Sequence, residues 1–245
     1  PFDWRLHQAH AVYWAAEDNF ADFLKGDVNY LHVVRQSMVQ SFYEGKLVYD
    51  PSRNVITRTN NLDIITNLHN FYEATIENVE DSDFAHATHR DFLEQAVVIL
   101  HTYNRMEDAH ELFEHYRETY VPNDQKIDYS TFVIERIEKT LGADTHRDRR
   151  SVIEAALFQS FFWLDLGDGD RSNGYYRLAH TMYQTHQRKY QNNPSRLLPP
   201  MEGIIKTARD RFVLTVNADA ETLKKRREEA ALRPPPPRLD LGGHP

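Results

Sequence analysis

Cysteine is absent from the 245-residue sequence, which excludes disulfides, thiolate nucleophiles, Cys-held iron–sulfur clusters and Cys-rich zinc sites. Glycine is scarce at 9, and most of the 11 prolines fall at segment ends or in the tail, so helices can run long without interruption. No apolar run approaches the roughly 18 residues needed to cross a bilayer. Positive charge is not in excess either: the formal net charge is -8, which argues against a general nucleic-acid binder, because such binding depends on Lys and Arg neutralising phosphates. The sequence opens on Pro1 without the charged and apolar regions of a signal peptide. The compartment is therefore open, and a soluble domain with a targeting segment upstream fits as well as one without.

What is present is a 40% hydrophobic content arranged at helical spacing, enough to close a core at this length. His7 to Leu24 carries Tyr13, Ala16, Phe20 and Phe23 on one face, and after Gly26 the pattern resumes at Leu31, Val34, Met38 and Phe42. Leu62, Ile65, Leu68, Tyr72 and Ile76 mark a third helix behind the capping candidates Asn60 and Asn61. Further amphipathic segments follow around Leu93 to Leu100, Ala109 to Tyr120, Tyr129 to Leu141, Tyr176 to Tyr190, Ile204 to Phe212 and Ala218 to Leu232. The segment through Ile153, Leu157, Phe161 and Leu164 is apolar all round, which predicts a central position. Only Lys46 to Thr57, with apolar pairs on either side of Asp50 to Asn54, reads as a small β-hairpin. The expected fold is all-α: stacked antiparallel helix hairpins forming one helical domain over 1–232, one small β-hairpin at 46–57, and a proline-rich tail over 233–245.

Ala109, His110, Leu112, Phe113 and Tyr120 are matched 70 residues later by Ala179, His180, Met182, Tyr183 and Tyr190, with a shorter echo at Ala9, His10, Val12 and Tyr13. A small residue before large ones suits a close helix crossing, so Ala109 and Ala179 are expected at crossings. The span Leu93 to Pro122 resembles a tetratricopeptide repeat, with Leu93, Ala96, Val97 and Leu100 on its first helix and Ala109, Phe113, Tyr116 and Pro122 on its second. Val97 stands where that family usually has a small residue, and the later copy reads as having a longer turn at Gly167 to Ser172. About a third of the chain carries the resemblance. It implies a TPR-like α-solenoid that binds other proteins rather than a catalyst.

Thirteen histidines are the one unusual count. Glu107 and His110 have the Glu-x-x-His spacing that places a carboxylate and an imidazole on one helical face, with Glu111, Glu114 and His115 close by and His86 and His89 as a facing pair. This is the metal-centre reading; the plainer one is histidines that hydrogen-bond between helices or at the surface. Asp165, Asp168 and Asp170 lack the remaining ligands of a calcium loop. The run Gly167, Asp168, Gly169, Asp170 lacks the Lys of a phosphate loop and reads as a helix–helix turn. No Gly-x-Ser-x-Gly elbow positions a nucleophile, and nothing in the sequence points to a cofactor. Between Glu73 and Asp124 thirteen acids face three bases, whereas His146 to Arg150 and Lys224 to Arg227 are basic. Such clusters are mainly solvated helix faces, with a charge-read partner surface as the functional alternative.

Phe2 and Trp4 precede the first helix, where an aromatic side chain either folds back or anchors into another protein. At the other end Pro234, Pro235, Pro236 and Pro237 favour an extended polyproline II strand with no internal hydrogen bonds, followed by Leu239 and Leu241 as apolar anchors on one side. These residues are the expected partner-binding set. The sequence therefore predicts a non-enzymatic scaffold or accessory subunit that meets other protein subunits through its surface and termini, against the alternative of a His/carboxylate metalloprotein on the 107–115 helix.

Overall fold

The computed structural model describes residues 2–17, 28–50, 54–78, 83–125, 127–140 and 149–239. Among them are ten α-helices and one two-stranded antiparallel sheet, the all-α class with a small β-hairpin that periodicity and turn residues indicate. The chain divides into two compact units, Pro1–Leu93, with which Leu239 groups, and Glu94–Arg238.

The first unit contains α1 (His7–Glu17), α2 (Val28–Glu44), β1 (Lys46–Asp50), β2 (Val55–Thr59) and α3 (Ile65–Asn78). It also takes in the first half of α4 (Asp83–Thr102). Residues 18–27, into which the first predicted helix extends, lie outside the described residues. Helix α2 packs against α1, α3 and β2. The hairpin pairs Lys46 with Thr59 through Asp50 with Val55, so its second strand runs two residues beyond the expected end. Asn61 then works twice: its amide N–H donates to the Phe42 carbonyl at 3.0 Å, and its side chain accepts from the Asp63 N–H at 3.2 Å. The expected cap thus also ties the hairpin exit to the end of α2. Phe42, Ile65, Leu68, Tyr72 and Phe92 make the core, with Phe42 edge-on to Phe92 at 5.4 Å and Tyr72 stacked on Phe92 at 5.7 Å.

The second unit holds the rest of α4, then α5 (Met106–Tyr120), α6 (Tyr129–Thr140), α7 (Arg149–Asp165), α8 (Gly169–Lys189), α9 (Met201–Val216) and α10 (Ala220–Ala231). Helix α7, apolar all round, packs against α8, α9 and α10 and buries Ile153, Leu157, Phe161 and Leu164. That is the central position its composition requires.

Two hairpin turns in this unit are built alike. At the end of α4, Asn104 takes a left-handed φ of 63°, its N–H donates to His101 and the Arg105 N–H donates to Leu100. At the end of α7, Gly167 takes φ 84°, its N–H donates to Leu164 and the Asp168 N–H donates to Trp163. Both are the paired 5→2 and 6→1 closure that satisfies a helix's last carbonyls. In each case the next helix begins two residues after the left-handed one. The turn at Gly167 is therefore no longer than the one at Asn104: Gly169 to Ser172 are already helical, and the extra residues are helical turns.

Helix α8 tolerates two early glycines because Asp168 caps it, accepting from the Arg171 N–H at 3.0 Å. The second glycine is sterically required: a Cβ on Gly174 would stand 2.2 Å from the Thr102 carbonyl oxygen. Ala109 and Ala179 are fully buried.

Candidate functional site

In the first unit, the chain before α1 folds back so that the His10 Nε2 donates to the Trp4 carbonyl at 2.9 Å. Asp3, held by Arg5, has its carboxyl lowered to about 2 by that side-chain hydrogen bond. The Trp4 ring meets His10 and Tyr13 edge-on at 5.8 and 5.6 Å, and Tyr13 meets Trp14 in the same way at 5.3 Å. The result is a contiguous aromatic group at the surface, with Trp4 54% and Trp14 65% exposed. Phe2 is half-buried beside it in sequence. The position of Trp4 before the first helix left folding back and anchoring both open, and Trp4 folds back onto His10 and Tyr13 while staying exposed; the exposure of Tyr13 was not readable, because helical spacing assigns it to the apolar face.

In the second unit, the first turn of α5 carries Glu107 and Asp108, with Glu111 one turn on. The tail lies on it. Arg238 hydrogen-bonds Glu111 and sits 3.6 Å from Glu107 and 3.8 Å from Asp108, while Arg105, 3.4 Å from Asp108, donates to the Pro237 carbonyl. Asp108 is only 2% exposed, so these two guanidinium groups neutralise a buried carboxylate. Pro234, Pro235 and Pro237 are exposed, Pro236 and Leu239 half-buried; Leu241 lies outside the described residues. The expected extended segment thus has a seat on its own chain.

Four of the five residues of the metal-centre reading are engaged by other side chains: Glu107 and Glu111 face Arg238, Glu114 faces Arg117, and His110 stacks on Tyr129 with centroids 3.7 Å apart. His115 is half-buried on the same helix. Of the suggested pair His86 and His89, the second instead meets His69, in the first unit. Both rings are buried, with His69 Nδ1 and His89 Nε2 2.9 Å apart, and Glu73 lies 3.5 Å from the other nitrogen of His69. One of the two facing nitrogens carries the proton that joins the rings, and which one depends on the tautomer.

Two arginines have buried roles that charge patterning hides. Arg227, within the basic cluster assigned to a solvated face, reaches from α10 into the α7–α8 seam, donating to Ser160, Ser172 and Asn173; burial lowers its pKa. Arg171 lies between Trp163, at 3.6 Å to the ring centroid, and Tyr103, at 4.3 Å. Buried Glu94 likewise accepts from Tyr116 at 2.8 Å and Arg136 at 2.6 Å. No protein-family model, no curated protein and no solved structure matches the chain, so the reading of these sites stands on their own geometry.

Proposed function

We propose that the chain is a non-enzymatic protein-binding subunit, a scaffold or accessory component of a larger assembly. The observation that carries this reading is the exposed group formed by Trp4, ahead of α1, and Tyr13 and Trp14 on it. Large rings that hold one another edge-on lose little side-chain freedom when a partner covers them, and contiguous exposed aromatics of this kind mark protein contacts rather than inert surface. The excess of acids over bases from Glu73 to Asp124 supports it to the extent that those acids are exposed, since charge of one sign orients an incoming partner and speeds encounter. The degenerate tetratricopeptide resemblance points the same way.

The metal-centre alternative on 107–115 has less support, because a divalent cation there would have to displace Arg238 from Glu107 and Glu111 and Arg117 from Glu114. The test is isolation of the chain from its native source with identification of the protein that stays bound in stoichiometric amount. A Trp4→Ala/Trp14→Ala variant is expected to lose that protein while melting within a few degrees of the parent. Retention of the partner at full stoichiometry would contradict the reading.

A further inference from the structure

Arg233 and Arg238 flank four prolines, and each lies at the start of a helix that carries acids there: Glu107, Asp108 and Glu111 on α5, and Asp168 and Asp170 at the N-cap and first turn of α8. Arg238 occupies the Glu107, Asp108, Glu111 cluster of α5. Arg233 lies against the first residue of α8, where a Cβ on Gly169 would stand 2.9 Å from its guanidinium, and its charge acts on Asp170. Burial and the neighbouring Asp168 raise the Asp170 pKa, while Arg233 and Arg105 offset this. Among the described residues Asp170 Oδ1 has no hydrogen-bond partner. Arg105 links the two positions, since it meets Asp108, acts on Asp170 and holds the Pro237 carbonyl.

The spacing follows from the prolines. A polyproline II strand advances about 3.1 Å per residue, so five residues set the two arginines about 15 Å apart without any internal hydrogen bond. The segment acts as a stiff ruler, pre-ordered before it binds. Its contacts are polar and peripheral: Arg238 is 58% exposed, and exposed ion pairs of this kind are individually weak. Helix α10 before it is anchored separately, through Arg226 to the Asp165 carbonyl, Arg227 in the α7–α8 seam, and Asn173 to the Ala230 carbonyl. The strap can therefore leave without unseating the helix.

We infer that the edge made by the first turns of α5 and α8 is a binding site for extended protein segments in which two arginines flank a short proline run, and that residues 233–238 occupy it in cis. This deepens the protein-binding reading, on which it rests, by naming the chemistry of one partner segment. A segment in trans must displace a tethered copy of itself whose effective concentration is in the millimolar range, so the site is self-inhibited until a better or more abundant segment arrives.

The test is independent of the aromatic group. A fluorescent peptide of residues 232–239 is titrated into the full chain, into Arg233→Ala/Arg238→Ala, and into that variant carrying Glu107→Gln and Glu111→Gln, at low and at high salt. The double-arginine variant is expected to bind at least about tenfold tighter than the parent, the cis competitor being gone. The added glutamines and high salt should each remove that gain, and a peptide with both arginines replaced by alanine should not bind. Equal affinity of parent and double-arginine variant would overturn the inference, as would binding indifferent to the glutamines. Arg238→Gln alone, which leaves Arg233 in place, should give an intermediate gain and guards against a folding defect in the double variant. If the peptide fails while the Trp4/Trp14 variant still loses its partner, the strap inference falls and the protein-binding reading stands.

Discussion

His101 shows how a single buried group sets a property of the second unit. Burial, aided by the positive charge of His110 and Arg177, lowers its pKa from 6.5 to about 4. Its Nδ1 is hydrogen-bonded to the Tyr129 hydroxyl at 2.9 Å, and burial raises the pKa of that hydroxyl. Because the folded-state pKa is depressed, the unfolded chain binds the proton first as pH falls. Stability is then fully present above about 6.5 and declines towards 4, by roughly 2–4 kcal/mol. Urea unfolding at pH 7, 5.5 and 4.5 should show that decline, and His101→Gln should flatten it; an equal slope in both proteins would mean that another group titrates. Two glycines give opposite expectations for one substitution. Gly174→Ala drives a Cβ into the Thr102 carbonyl and should cost about 1–3 kcal/mol. Gly203, in the first turn of α9 with nothing within 4 Å of an added Cβ, should gain about 0.5–1 kcal/mol as alanine. Thermal melts of the pair check both signs.

At the scale of the elements, sequence logic went furthest where a signal is local. Nearly every helix is visible from its apolar period and its breaks, and the β-hairpin from the polar centre of Lys46 to Thr57. The register of the echo was less legible. Aligning Ala109 with Ala179 gives a spacing of 70 residues, yet the two left-handed turn residues, Asn104 and Gly167, are 63 apart. The difference is two turns of helix at the start of α8, where Gly169 and Gly174 look like loop residues in a linear reading. Only the Thr102 backbone lying against Gly174, a contact between segments distant in sequence, shows why a glycine sits inside a helix. The inward turn of Arg227 was hidden for the same reason, since its partners Ser160, Ser172 and Asn173 come from other helices. If Ala109 and Ala179 lie at close crossings, leucine at either position overpacks the contact, with an expected loss of about 1–3 kcal/mol. Melting temperatures matching the parent would remove the crossing assignment and the echo with it.

At the scale of the molecule, the chemistry divides between interior and surface. Buried charge is answered internally, as with Glu94 between Tyr116 and Arg136 and Asp108 between Arg105 and Arg238. Large aromatic area remains outside at Trp4, Tyr13 and Trp14. The exposed end of the first unit was half legible: the position of Trp4 ahead of the first helix left folding back and anchoring both open, and the exposure of Tyr13 and Trp14 depends on which face of α1 meets α2. On the proposed function this aromatic group is a protein contact. The most direct measurement is oxidative footprinting of the purified chain, alone and with the protein that stays bound to it from the native source. Trp4, Tyr13 and Trp14 are expected to be modified readily in the free chain and several-fold more slowly in the complex. Unchanged modification of all three on complex formation would contradict the claim.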